Sequence, residues 1–121
     1  MAARLKTVRV EITTDDSGDF TTTTIPLQGG VYQYRYTPDG SNPLDTGADL
    51  DIVGADTGIV VANQDDIGTS AFTKAPRQAT HGIDGTADDG AALIAINERL
   101  TVTIANGGDT LSGVLHIWLA V

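Results

Sequence analysis

Two histidines, two groups of aspartates and a row of tyrosines are the residues of this 121-residue chain whose types could do chemistry. His81 and His116 lie far apart in the sequence. A serine nucleophile would need a histidine held by a carboxylate, together with a placed oxyanion hole. The chain carries no G-x-S-x-G elbow, and Ser112-Gly113 reads better as the start of a strand. Each histidine is therefore expected to be a hydrogen-bonded structural or surface residue. His116 is expected on the strand face opposite Leu115 and Ile117.

Asp45, Asp49, Asp51 and Asp56 form one acidic group, and Asp84, Asp88 and Asp89 another. Calcium takes six to eight oxygen ligands, which clustered loop aspartates can supply. Neither group has EF-hand spacing or tandem glycine-rich nonapeptides, and Asp and Gly are also the commonest turn formers. No metal site and no cofactor is expected. Glycoside hydrolysis needs two carboxyl groups at a set separation across a cleft, whereas nearly all the acids here are loop aspartates. The only glutamates, Glu11 and Glu98, are expected in or beside strands and solvated. Gly29-Gly30 and Gly107-Gly108 are isolated pairs without the lysine and helix of a phosphate-binding loop. Tyr32, Tyr34 and Tyr36 could form a stacking platform for bases or sugars, but cross-strand aromatic packing is the ordinary use of such a row. The chain is expected not to be an enzyme.

The elements that must position these residues read as strands. Val8, Val10 and Ile12 alternate with polar residues from Thr7 to Thr13. Phe20 to Leu27 carries four consecutive threonines, whose β-branching favours extended backbone; Gly29-Gly30 is expected to break it. Val31 to Tyr36 alternates again, placing three tyrosines on one face and Val31, Gln33 and Arg35 on the other. Thr37 to Gly47 holds two prolines and two glycines and reads as a surface loop. Leu50–Val53 and Ile59–Ala62 form a hairpin, and from Asn63 to Gly90 the periodic signal fades. Ala91 to Ile96 reads equally as a helix start or a buried strand. Arg99–Ala105 and Val114–Val121 complete the set, and Trp118 is expected in the core with Val102, Ile104, Val10 and Ile12. Short strands between turn signals predict an all-β fold, an antiparallel β-sandwich or jelly-roll-like barrel. One domain spanning 1–121 is expected, with a short basic N-terminal arm over about residues 1–6.

The formal charge is −9, unevenly spread. Arg4, Lys6 and Arg9 make the first nine residues +3, and everything after them sums to −12. Such a body repels nucleic acid, whose binding depends on neutralising phosphates. The basic end is the candidate interaction site: Arg4, Lys6 and Arg9 could grip an acidic neighbour, or could be solvated charges of an ordinary first strand. No apolar run reaches the roughly 20 residues that span a bilayer, the basic start with no apolar stretch behind it is not expected to be a secretory signal, and with no cysteine there are no disulfides.

The run Tyr34-Arg35-Tyr36-Thr37-Pro38-Asp39-Gly40-Ser41-Asn42-Pro43-Leu44-Asp45-Thr46-Gly47-Ala48-Asp49 resembles a stretch of small structural proteins from the virion modules of tailed bacteriophages. Asn63 to Phe72, Ala75 to His81, and Ile104 to Gly108 with Ser112-Gly113 before an aromatic-bearing end strand resemble the same proteins, so the likeness runs from about Val31 onward. The segment Ile83 to Ala92 departs from it, being shorter and more acidic. The resemblance implies a virion component made in the host cytoplasm. Its partners would be the major capsid protein or other virion proteins. A capsid decoration protein, a homo-oligomer and most simply a trimer, is the first expectation; a tail, connector or baseplate component is its variant. The alternative of another class is a carbohydrate-binding β-sandwich module, which would expose Trp or Tyr on a concave face.

Overall fold

Most alternating segments form strands: the computed structural model describes residues 4–81, 83–85 and 87–121, and among them every regular element is a strand, although the threonine segment expected from Phe20 to Leu27 ends as a strand at Thr23. In chain order these are β1 Leu5–Thr13, β2 Phe20–Thr23, β3 Leu27–Pro38, β4 Asp49–Gly54, β5 Val60–Gln64, β6 Phe72–Lys74, β7 Gln78–His81, β8 Ala87–Ala92, β9 Ile94–Glu98, β10 Leu100–Ala105 and β11 Ser112–Ala120. A five-stranded sheet runs β1-β11-β3-β6, with β9 also paired to β3. A four-stranded sheet runs β2-β10-β4-β5, and β7 and β8 make a separate hairpin. The named pairings are antiparallel.

The two larger sheets close on one core. Leu115, Ile117 and Leu119 of β11 meet Leu100, Val102 and Ile104 of β10, all fully buried. Each such side chain removed from water stabilises the fold by about 1.5–3 kcal/mol. Tyr34 and Tyr36 are buried with them, and Phe72 packs edge-on to Tyr34 and tilted against Tyr36, with ring centroids 6.2 and 5.9 Å apart.

Several expectations are corrected. Gly29-Gly30 does not end a strand; β3 runs through it for twelve residues. Gly29 has φ 138°, and a Cβ there would lie 2.6 Å from the Ala120 carbonyl oxygen, so glycine lets β3 and the end of β11 approach closely. The tyrosines do not share one face. A bulge between Trp118 and Leu119 sets Gln33 opposite the first and Val31 opposite the second, leaving Tyr32 as the extra residue. An unpaired residue of this kind shifts the alternation by one. Val31 is thus buried and Tyr32 exposed. Ala91–Ile96 is strand, split between β8 and β9, and the faded region holds β6, β7 and the start of β8. Glu98 is buried rather than solvated, and Trp118 is not in the core.

Candidate functional site

β11 lies between β1 and β3, so its outward residues sit at the centre of the large sheet's outer face. Its apolar Leu115, Ile117 and Leu119 face the core; by strand alternation His116 and Trp118 face out, both partly exposed. Register places Arg9, His116 and Arg35 in one cross-strand row, and Thr7, Trp118 and Gln33 in the next. The His116 and Trp118 rings stack at 5.7 Å between centroids and 24° between planes. Arg35 donates to the Thr73 hydroxyl at 2.9 Å, and Arg9 pairs with the Glu11 carboxylate. Both partners of that pair are well exposed, so it is worth little and holds Arg9 only loosely. At the bulge the Arg77 guanidinium lies 5.6 Å above the Tyr32 ring and donates to the Tyr32 carbonyl at 2.9 Å.

The opposite face is acidic. Asp51 stands between Thr103 and Asn63 on the outside of the four-stranded sheet. Asp49 accepts hydrogen bonds from the Asp66 backbone and the Asn106 side chain, each at 3.1 Å. The outer face of the five-stranded sheet therefore presents arginines and aromatic rings with Glu11 among them, and the outer side of the other sheet presents Asp51.

Of the residues expected to form a basic anchor, only Arg9 joins this face. Leu5 and Lys6 are paired with Ala120 and Leu119, and the Arg4 carbonyl accepts from Val121 N–H at 2.9 Å, so from Arg4 onward the chain is tied to β11. Arg4 and Lys6 have the opposite parity to Arg9 and point to the other side of the strand. Sequence reasoning missed Arg35, Arg77 and Trp118 as surface partners. The parity of β11 carried the signal for Trp118, since it lies two positions from His116. Among the described residues no three His, Asp or Glu side chains gather as a metal ion would require; the side chains of Asp88 and Asp89 lie outside the described set.

No protein-family model and no curated protein matches the chain. Its fold has a loose likeness to the crystal structure of FLHE, at 9% identity and TM-score 0.41, covering 95% of this chain and 96% of that one. A subunit of Bacillus endospore appendages, a family of disulfide-linked pili, is similar at 17% identity and TM-score 0.36, covering 98% and 88%. Similarities this loose carry no argument about this chain.

Two acidic groups are structural. Glu98 accepts from the Asp56 and Thr57 backbone N–H groups at 2.8 and 3.0 Å and from the Thr57 hydroxyl at 2.6 Å, locking the β4–β5 turn. These bonds, led by the Thr57 hydroxyl, hold its carboxyl below the usual range. Asp39 accepts from the backbones of Asn42 and Ser41 at 2.8 and 3.0 Å, which lowers its pKa and folds the Thr37–Gly47 loop back on itself. Pro43 bridges to Ser112 and Leu44 is fully buried, so that loop is fastened to the sandwich. Burial pushes the Tyr36 phenol up to about 12, against a hydrogen bond with the Leu44 backbone.

Proposed function

We propose that the chain is a structural subunit of a tailed-phage particle, a capsid decoration protein that docks on an acidic protein surface through the outer face of its five-stranded sheet. One observation carries this reading. In a chain of net charge −9, Arg9, Arg35 and Arg77 collect on one face with His116, Trp118 and Tyr32. Arginine and large aromatic residues are those that most often dominate protein interfaces. Guanidinium groups also suit carboxylates, which they engage through paired hydrogen bonds. The resemblance to virion proteins supplies the setting and the partner, a major capsid protein; a tail, connector or baseplate position would use the same face on another part of the particle.

The test is co-sedimentation of purified chain with capsids. Arg9→Glu together with Arg35→Glu should weaken binding roughly tenfold or more in low salt, with the wild-type complex loosening as salt rises. Unchanged binding by the double variant would move the docking surface elsewhere.

A second reading, a carbohydrate-binding module, is favoured by the partial exposure of Trp118 beside His116 and Gln33. Because Trp118 is the only tryptophan, its fluorescence reports on this spot alone. A saturable shift with neutral or uronic-acid oligosaccharides would support the module, and a flat titration with retained capsid binding would reject it.

A further inference from the structure

β1 is nine residues long and forms one edge of the five-stranded sheet. The bonds that extend its ladder on β11 fix which backbone groups it uses. Arg4 O accepts from Val121 N–H and Thr14 N–H donates to Leu111 O, both at 2.9 Å and both in line with the β1–β11 register. In an antiparallel pair the bonded positions alternate, so the even-numbered residues bond to β11. The N–H and C=O groups of Leu5, Thr7, Arg9, Glu11 and Thr13 point away from the sheet. β2 is likewise an edge of the other sheet. Between β1 and β2 the sandwich opens into a cleft of about 510 Å³ lined by Val8, Val10, Phe20, Thr22 and Ile25. Val8 and Phe20 are only partly buried there, and Ile25 is exposed.

An open edge of this length invites another strand unless proline, bulges or charges guard it. β1 has no proline, and the charge on its cleft side, Lys6, lies near the strand's end rather than at its centre. Its outward side chains include Arg9 and Glu11, opposite charges two residues apart, which makes the edge complementary to itself. We propose that β1 pairs antiparallel with β1 of a second copy about a two-fold axis passing between the two Val10 residues. Outward backbone groups can bond only when odd-numbered residues face odd-numbered residues. In the register centred on Val10, Arg9 faces Glu11 of the second copy, Glu11 faces its Arg9, and Thr7 faces its Thr13. The four charges then alternate in sign on the outer face, while Val8 and Val10 of both copies close over the cleft. The adjacent register on one side sets Arg9 against Arg9, and on the other Glu11 against Glu11; like charges directly opposite are unfavourable. Charge therefore selects one register, and the interface is isologous, as a two-fold dimer requires. The inference shares Arg9 with the proposed docking face, so Glu11→Arg and Thr7→Pro, which leave Arg9 and Arg35 in place, read dimerisation apart from docking.

Light scattering of the purified chain should give twice the 12.6 kDa of one copy. Arg9→Glu and Glu11→Arg should each weaken dimerisation roughly tenfold or more, since each places like charges opposite one another twice. The double exchange Arg9→Glu, Glu11→Arg should restore it. Thr7→Pro removes an outward N–H without touching the β1–β11 ladder and should also give monomer. The wild-type chain has no cysteine, so Val10→Cys gives a position-specific reading. Two Val10 positions in a non-bonded pair lie about 4.5 Å apart at Cα, within disulfide reach. Mild oxidation should link Val10→Cys into a covalent dimer, while Val8→Cys links only when mixed with Ile12→Cys. A monomeric wild type overturns the proposal. So does a dimer in which Val10→Cys stays unlinked and Thr7→Pro has no effect.

Discussion

Trp118 stacks on His116 at the centre of an exposed sheet face, with centroids 5.7 Å apart, although most residues of the strand that carries both are apolar. Leu115, Ile117 and Leu119 take the core positions, leaving the intervening residues outside. Trp118→Ala should therefore cost about 1 kcal/mol, as for a partly exposed site. Ile117→Ala on the inward side should cost about 2–5 kcal/mol. Chemical denaturation of both variants checks this; a tryptophan loss as large as the isoleucine loss would mean that the ring is buried.

Gly54 sits against the Glu98 carboxylate, and a Cβ at Gly54 would come within 2.5 Å of Glu98 Oε1. Gly54→Ala should push that carboxylate off the Asp56 and Thr57 amides and destabilise the fold by about 1–3 kcal/mol, as overpacking does. Glycine at Gly47, where a Cβ meets nothing within 4 Å, is the control: Gly47→Ala should leave the midpoint close to wild type. Equal effects at the two positions would dissociate Gly54 from Glu98.

Stability should fall in acid. Hydrogen bonds lower the pKa of Glu98 and Asp39 from ordinary values of 4.5 and 3.8. The native state thus binds fewer protons than the unfolded chain. The stabilisation is fully present above those ordinary values and is lost as pH drops through the lower native ones. Glu98→Gln should be less stable than wild type at pH 7 and lose less on acidification. Denaturant midpoints measured from pH 7 down to the acid transition decide it; parallel pH profiles would contradict the role given to Glu98.

At the alkaline end the sign reverses. Tyr36 is raised to about 12 from 10.0, and Tyr34 is raised as well, both by burial. Their contribution is intact below pH 10 and is lost as pH rises through the native values. Absorbance titration should show late phenolate formation, and Tyr36→Phe should remove part of it. Ionisation of every tyrosine at the ordinary value in the folded protein would place Tyr36 at the surface.

The strands were legible wherever a two-residue period ran unbroken, as in β1, β10 and the inward half of β11. Local rules fail where tertiary contacts override them. Tyr32 left its row because a bulge depends on the partner strand, which sequence alternation cannot see. Gly29-Gly30 looked like punctuation, but the neighbouring chain end needs the space. Hydrophobicity alone puts Trp118 in the core, but its parity matches His116, and parity is what the fold obeys. Glu98 looks solvated from its local sequence because its three donors lie in a turn about forty residues away. Of the outer face, Arg9 and the outward side of His116 are legible in the sequence; Arg35 joins it through the β3–β11 register and Arg77 through its contact with Tyr32.

The most direct measurement is a reconstruction of the intact particle, with its protein content established by mass spectrometry. The chain should be present, resolved as β-sandwiches on the head exterior, with Arg9, Arg35, His116 and Trp118 turned toward acidic residues of the shell. Absence of the chain from purified particles, or a bound sandwich whose Trp118 face looks out to solvent, would contradict the account.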